Sequence, residues 1–324
     1  MCTLNDKEHY VDHVYSLQFG VQHGYVITKL HRAIKFKQSD VFAPYMTYLL
    51  DKRKQTKRGT LEDEFYKLLA NSFFGKTCEN PRSYRLFKSA CGKRDIIKLT
   101  NHESIIDFHK LDDDLILAEL QQYEVWYNKP LYIGVTILSI SKVVMANYWY
   151  DWLKVMFGDN IKLMYTDTDS FVVEITHPDP INYMMEPDNN EIFEIGDHNK
   201  RIPGKLKLEK VGIVEFKAYC PKQYYYIYKQ GDKYVCSEKF KGIPDRCRSS
   251  KELTQSDIIQ HLQSHSALTP KTTYDYKHLR SHKHEIYVED VHKEISAKDD
   301  KRHWLSDGIH TLAHGHYSIK YDDN

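Results

Sequence analysis

No charge of either sign dominates this sequence: 46 lysines and arginines stand against 45 aspartates and glutamates, a formal net charge of +1. A global field that would steer nucleic acid or a membrane surface is therefore excluded, and any such signal must be local. Glycine (14) and proline (10) are scarce among 324 residues, while hydrophobic residues make up 41 %. That balance excludes collagen-like and ordinary disordered compositions. The longest apolar run, LYIGVTILSIS from Leu131 to Ser141, stops at Lys142, well short of the roughly 20 residues a membrane-spanning helix needs. A soluble chain without a membrane partner is expected. Met1–Tyr10 (MCTLNDKEHY) has no apolar stretch of the kind a secretory leader requires, so an intracellular, reducing compartment is expected, nucleus and cytoplasm being indistinguishable. The six cysteines, at 2, 78, 91, 220, 236 and 247, form no C-x-x-C pair, and free thiols are expected rather than a disulfide framework or a cysteine zinc site.

What is plentiful is tyrosine, 25 residues, whose rings can stack or pack while the hydroxyl finds a polar partner. The length is enough for about two domains with a substantial core. Between Asp12 and Phe36 the TKLHRAIKF run reads as strand-like, with Leu30, Ala33 or Ile34, and Phe36 turned to a core. From Tyr45 to Phe74 the pattern changes to a helical hairpin. Its first arm is cationic (Lys52, Arg53, Lys54, Lys57, Arg58), Gly59 punctuates it, and the second arm carries acids in its first turn, where the helix dipole favours them. Residues 84–120 hold short strand-like pieces and an acidic turn, Asp112–Asp114, read as a solvated loop. Leu131–Trp152 is a second long helix. Strands are expected again at Lys205–Leu208, Gly212–Tyr219 and Tyr224–Tyr228, after a loop-rich stretch from Thr176 to Pro203. From Cys236 onward the chain is polar and carries 10 of the 18 histidines, which suggests a separate subdomain.

Two segments could carry chemistry. In IKLMYTDTDSFVVEI two apolar runs flank a polar tip, the pattern of a β-hairpin that presents Asp167 and Asp169 together. Carboxylates two apart on a strand share a face and could hold a divalent cation through oxygen ligands. A bare D-x-D is more often an exposed acidic turn. In KLLANSFFG, Lys67, Asn71 and Phe74 fall at i, i+4 and i+7 of a helix and form one stripe of ammonium, amide and ring. Such a stripe could bind a triphosphate and stack on its base; the bland alternative is a half-buried helix with a snorkelling lysine. Arg53 and Lys57, four apart on the preceding helix, could face the same phosphates. A D-x-D also serves nucleotide-sugar glycosyltransferases, but they leave the second segment unexplained. His261-x-x-x-His265 and His282-x-His284 have spacings that could ligate zinc, though no Glu or Cys partner completes a recognised pattern.

Together these segments resemble the C-terminal half of a family B DNA polymerase. YTDTDS matches that family's motif C, Lys67 to Gly75 matches motif B (K-x-x-x-N-S-x-Y-G), and Lys222-Gln223-Tyr224 matches its K-x-Y motif, in the family order. KLHRAIKFKQS, FFGKTCEN, YIGVTILSISK and DDKRHWLSDGIHTLAHGH resemble the polymerases of protein-primed viruses and self-synthesising mobile elements, so the likeness runs through the whole chain. The resemblance implies an α/β palm with an antiparallel sheet (residues 1–40 and 77–235), an inserted helical fingers hairpin (41–76) and a mixed C-terminal thumb (236–324). It implies DNA-directed DNA synthesis on primer-template DNA from deoxynucleoside triphosphates, with two Mg²⁺ or Mn²⁺ ions in the complete site and a terminal protein as one conceivable primer. By position, Asp167 and Asp169 would be metal ligands, with Asp169 the principal one. Lys67, Asn71, Phe74, Arg53 and Lys57 would face the nucleotide; Lys222, Tyr224 and Gly75 would face the DNA. Arg201–Lys210 and Lys239–Lys241 would grip the DNA backbone. Motif B ends here in Phe74-Gly75, which keeps the ring and loses the hydroxyl. Motif A (D-x-x-S-L-Y-P) has no match; Asp12-His-Val-Tyr-Ser-Leu is only superficially similar. No exonuclease segment is present either. The chain thus resembles a fragment starting downstream of motif A, with weak or no activity of its own, or a DNA-binding remnant that turns nothing over.

Overall fold

The computed structural model describes residues 6–8, 10–189, 192–194, 202–248, 252–254, 256–257, 259, 273–282, 285–294, 302–306, 311–312 and 318–319. It is a mixed α/β protein whose strands pair antiparallel, and it divides into two compact units, Val11–Asn147 and Tyr148–Asn324 with Met1–Tyr10.

The first unit opens with helix α1 (Val14–Gln22), capped by the His13 side chain, which accepts from the Tyr15 N–H. Residues 25–40, expected to hold a strand, carry none. The apolar alternation is there, but Leu30 and Ile34 are over 70 % exposed, and among the described residues no neighbouring strand supplies the ladder that an extended segment needs. The helical hairpin is as expected. α2 (Ala43–Gln55) starts on Pro44 and places Lys52, Arg53 and Lys54 in its last turn, where the helix dipole favours cations. Gly59, at φ +79°, turns the chain in a conformation that side chains resist. α3 (Leu61–Thr77) follows, its N-cap Thr60 accepting from the Asp63 N–H. Phe73 of α3 packs on Phe42 and Tyr45.

β1 (Leu86–Cys91), β2 (Ile105–Asp112) and β3 (Leu115–Leu120) form a sheet in the order β1-β3-β2. Asp113 and Asp114 make the turn between β2 and β3, the solvated acidic loop expected there. The amphipathic helix α4 (Lys93–Thr100), which the sequence reading passed over, joins β1 to β2 and covers the sheet. Ala90, Leu99, Ile116, Ala118 and Leu120 are the core between them.

α5 (Leu131–Asn147) crosses the end of α3 at Gly134. A Cβ at Gly134 would stand 2.1 Å from Cys78 Sγ and 2.9 Å from Thr77 Oγ1, so the approach admits glycine alone. The helix then continues through a π-turn, Tyr148–Leu153, and through α6 (Lys154–Phe157). This continuation corrects the expectation from the apolar run, because Leu131–Asn160 is long and apolar enough, by length and composition, to cross a membrane. Gly134 lies against Cys78, and Leu153 and Phe157 sit in a core, while Leu131, Tyr132, Val135 and Leu138 are exposed.

In the second unit β4 (Ile161–Asp167) and β5 (Ser170–Ile175) form the expected hairpin. Its base rests on a core of Leu153, Phe157, Ile161, Met184, Ile192 and Phe193, with Met184 supplied by α7 (Pro180–Met184). The strand expected at Lys205–Leu208 reduces to one bridge, Leu206 to Phe193. β6 (Ile213–Cys220), β7 (Gln223–Gln230), β8 (Lys233–Phe240) and the short β9 (Glu252–Leu253) make a four-stranded antiparallel sheet. β8 runs through Cys236, where the sequence reading begins a new subdomain. Tyr225, Ile227 and Cys236 are the buried face of this sheet. β10 (Thr273–His282) and β11 (Glu285–Glu294) form a long two-stranded ribbon, followed by the short pair β12 (His303–Trp304) and β13 (Thr311–Leu312).

Candidate active site

The β4–β5 turn is the two-residue loop Thr168-Asp169, with Thr168 at φ 59°. Hairpins favour such left-handed turns because their twist matches that of the strands. Local hydrogen bonds hold it: the Asp169 N–H (2.7 Å) and Ser170 Oγ (3.2 Å) both donate to the Asp167 carbonyl, and Thr168 Oγ1 donates to Asp167 Oδ1. Asp167 is thus the last residue of β4 and Asp169 sits in the turn. Only Asp167 is therefore on a strand, and Asp169 is the second residue of the turn, at the hairpin tip where both were expected.

The β6–β7 turn meets this hairpin. Lys222, also left-handed at φ 65°, donates its backbone N–H to the Tyr165 hydroxyl at 2.8 Å. Its Nζ lies 2.6 Å from Asp167 Oδ2, both side chains being partly exposed. The bond to Asp167 raises the Lys222 ammonium above the ordinary lysine range and keeps it charged. Tyr224 packs its ring 5.0 Å from that of Tyr165, and Phe216 closes the cluster. Burial, then the neighbouring Tyr165, pushes the Tyr224 hydroxyl upward, so it remains protonated. Lys239 lies opposite Tyr224 on β8, and the Lys241 N–H donates to the Lys222 carbonyl. Of these lysines, Lys222 is the one whose ammonium reaches the β4–β5 tip.

The remaining residues of interest lie in the first unit. Lys67 and Asn71 are exposed on α3, Lys67 Nζ 3.5 Å from Glu64 Oε2, and Phe74 is half-buried on the same stripe. Gly75 is exposed, with open space where a side chain would begin. Arg53 is placed differently from the expectation. Its Nε lies 3.1 Å from Oδ1 of Asp63, which is 2 % exposed, while the Gly59 N–H donates to the other carboxylate oxygen. Arg53 is therefore a strut that ties α2 to α3. Lys57, in the turn, is exposed.

Sequence reasoning missed Asp63, whose pairing with Arg53 follows from no local spacing. It quoted Tyr165 only as part of a motif. Phe216 carries no signal beyond its strand. Arg201, His261, His265 and His284 lie outside the described residues. His282 ends β10 opposite Glu285.

For a divalent cation pair the donors are too few. Among the described residues no three His, Cys, Asp or Glu side chains cluster. Of the two carboxylates at the β4–β5 tip, Asp167 already holds the Lys222 ammonium. Hard cations take six or more oxygens, and a two-ion site clamps both ions between shared ligands. The residues present do not make that site by themselves.

Residues 1–165, just over half of the chain, match the family model described as DNA polymerase type B, organellar and viral. The chain belongs to the family B DNA polymerases, and by family it is a DNA-directed nucleotidyltransferase of DNA replication. The match takes in Lys67–Gly75 and ends at Tyr165, so Asp167, Asp169, Lys222 and Tyr224 lie outside it. Comparison with curated proteins and with solved structures yields no match.

Proposed function

We propose that this chain is the part of a DNA-directed DNA polymerase that holds the incoming deoxynucleoside triphosphate and the primer end. Residues 41–76 are its fingers, 1–40 and 77–235 its palm, and 236–324 its thumb. Lys67, Asn71, Phe74 and Lys57 face the nucleotide. Arg53 contributes by bracing the hairpin, since a triphosphate would have to compete with Asp63 for its guanidinium. Lys222, Tyr224 and Gly75 face the primer-template, and Asp167 and Asp169 would contribute to a cation site only once Lys222 releases Asp167 and further carboxylates complete it. The single observation that carries the reading is the contact of Lys222 with Asp167. Two motifs 55 residues apart meet at 2.6 Å, as a site that joins a primer end to a catalytic carboxylate requires.

In the reaction the primer 3′-hydroxyl oxygen bonds to the α-phosphorus while the bond to pyrophosphate breaks. Cations such as Lys67 stabilise the charge that develops on the departing oxygens by being in place beforehand. Turnover also needs a carboxylate beyond Asp167 and Asp169, so incorporation by this chain alone is weak or absent. That shortage favours a second reading, a DNA-binding protein without turnover. Primer extension with Mg²⁺ or Mn²⁺, beside Asp169→Ala, separates the two. Extension abolished by the substitution supports a working polymerase. Salt-sensitive DNA binding with no extension supports the second reading, and absence of DNA binding refutes both.

A further inference from the structure

Residues 121–130 (QQYEVWYNKP) join β3 to α5 as a segment without helix or strand, and its aliphatic and aromatic side chains part company. Val125 and Pro130 are half-buried, while Tyr123, Trp126 and Tyr127 are 72 %, 74 % and 64 % exposed. Water expels aliphatic and aromatic surface alike. A segment that hides its aliphatics and leaves all three of its rings outside offers those rings to a partner. Cations already lie on rings here. The Arg82 guanidinium sits 5.5 Å from the centre of the Tyr127 ring, and its Nε donates to the Tyr127 hydroxyl. Lys129 Nζ sits 5.9 Å from the centre of the Tyr84 ring. Leu86 pairs with Leu120, which brings the start of β1 beside the start of this segment within the first unit.

The charge along that neighbour is of one sign. Arg82, Arg85, Lys88, Lys93, Arg94 and Lys98 stand against Asp95 alone between residues 82 and 98. Among the described residues only Arg85 of these cations is ion-paired, with Glu119. Because α4 turns Ile96 and Leu99 to the sheet, Arg94 and Lys98 face outward. The acids nearby are few: Glu79 is taken up by Lys76 and Lys129, and Glu124 is exposed within the segment. Exposed rings with cations on and beside them suit an unpaired nucleic-acid strand, whose phosphates seek cations and whose bases each offer a face to a ring. A duplex keeps its base faces stacked inside and would meet the cations alone. We propose that Tyr123, Trp126 and Tyr127, with Arg82 and the outward cations of β1 and α4, form a binding surface for unpaired, single-stranded DNA. The surface needs no primer end and tolerates any sequence, because ring faces and cations read no base edge. It stands apart from the reading of Lys222 and Tyr224.

The test is fluorescence anisotropy of the full chain with a labelled, unprimed oligothymidylate of about 16 nucleotides, beside a blunt duplex of the same length. Tyr123→Ser and Trp126→Ser are each expected to raise the single-strand Kd by about 5-fold to 150-fold, the range of one base–aromatic stack. The duplex Kd should stay at its native value, and Trp126→Phe, which keeps a ring, should bind the single strand nearly as the native chain does. Native single-strand affinity in both serine variants overturns the surface. An equal loss on the duplex overturns it too, by placing the contact on phosphates. So does a native chain that binds no single strand, a result that would assign the rings to a protein partner. None of these variants touches Lys222 or Tyr224, so such failures leave the primer-end reading standing. Should the serine variants unfold, photocrosslinking of the native chain to an oligothymidylate carrying 5-iododeoxyuridine decides. Crosslinks within residues 121–130 support the surface, and crosslinks confined to other residues overturn it.

Discussion

Lys222 reaches across from the β6–β7 turn and sets its ammonium 2.6 Å from Asp167 Oδ2, while its own N–H is held by the Tyr165 hydroxyl. The backbone bond fixes the turn and the ion pair aims the side chain. Both charged groups are partly exposed, so the pair contributes less than about 1 kcal/mol to stability. Lys222→Met is therefore expected to unfold at nearly the native urea midpoint. Its affinity for primer-template should fall, and the slope of log K against log salt should become shallower by about one if the ammonium meets a phosphate. A native slope with native affinity would remove Lys222 from the DNA contact.

Arg53 offers a contrast, because its partner is buried. Asp63→Ala or Arg53→Ala should cost about 1–3 kcal/mol, the cost of leaving a buried polar group unsatisfied. Urea unfolding of the two variants measures this. Arg53→Lys should recover only part of the loss, since a lysine lacks the planar fork that meets a carboxylate side-on. An Arg53→Ala variant of native stability would return Arg53 to the role of a plain phosphate ligand.

Gly134 of α5 lies against Thr77 and Cys78 at the end of α3. Gly134→Ala drives a methyl into Cys78 Sγ and Thr77 Oγ1, and overpacking of this kind costs about 1–3 kcal/mol. Cys78→Ala removes the nearer obstacle, so the double variant should be more stable than the sum of the single losses predicts. A thermal-melt double-mutant cycle gives the coupling directly.

Acid should loosen the end of α3. Glu79 is held at about 2, first by its bond to the Lys76 ammonium and then by the Tyr84 hydroxyl. A carboxyl with a lowered pKa stabilises the fold above its ordinary value of 4.5, and that contribution fades as pH falls from there toward 2. Hydrogen exchange of residues 76–84 followed over that range should show the loss, and Glu79→Gln should abolish the pH dependence of this segment.

Thiol reactivity should divide by burial. Cys236 is 1 % exposed and burial pushes its thiol up to about 12, whereas Cys91 is exposed. A maleimide reagent at pH 7.5 should modify Cys91 quickly and Cys236 only after unfolding, as peptide mapping will show.

Local pattern alone determined the helical hairpin, the α5 helix and the β4–β5 hairpin with its acidic tip, and the order of Lys67–Gly75, YTDTDS and Lys222-Gln223-Tyr224 together pointed to the family. Each of these elements is written in residues close together: alternating or helical apolar spacing, acids in the first turn of the second arm, a glycine at the turn. Tertiary structure decided the rest. Residues 25–40 alternate like a strand yet form none, because a strand exists only where another supplies its hydrogen bonds. Arg53 was expected to face a triphosphate, and α3 folding back brought Asp63 beside it instead. Asp167 and Lys222, 55 residues apart, became neighbours only when two turns from different sheets met, and no spacing in a linear chain encodes that distance.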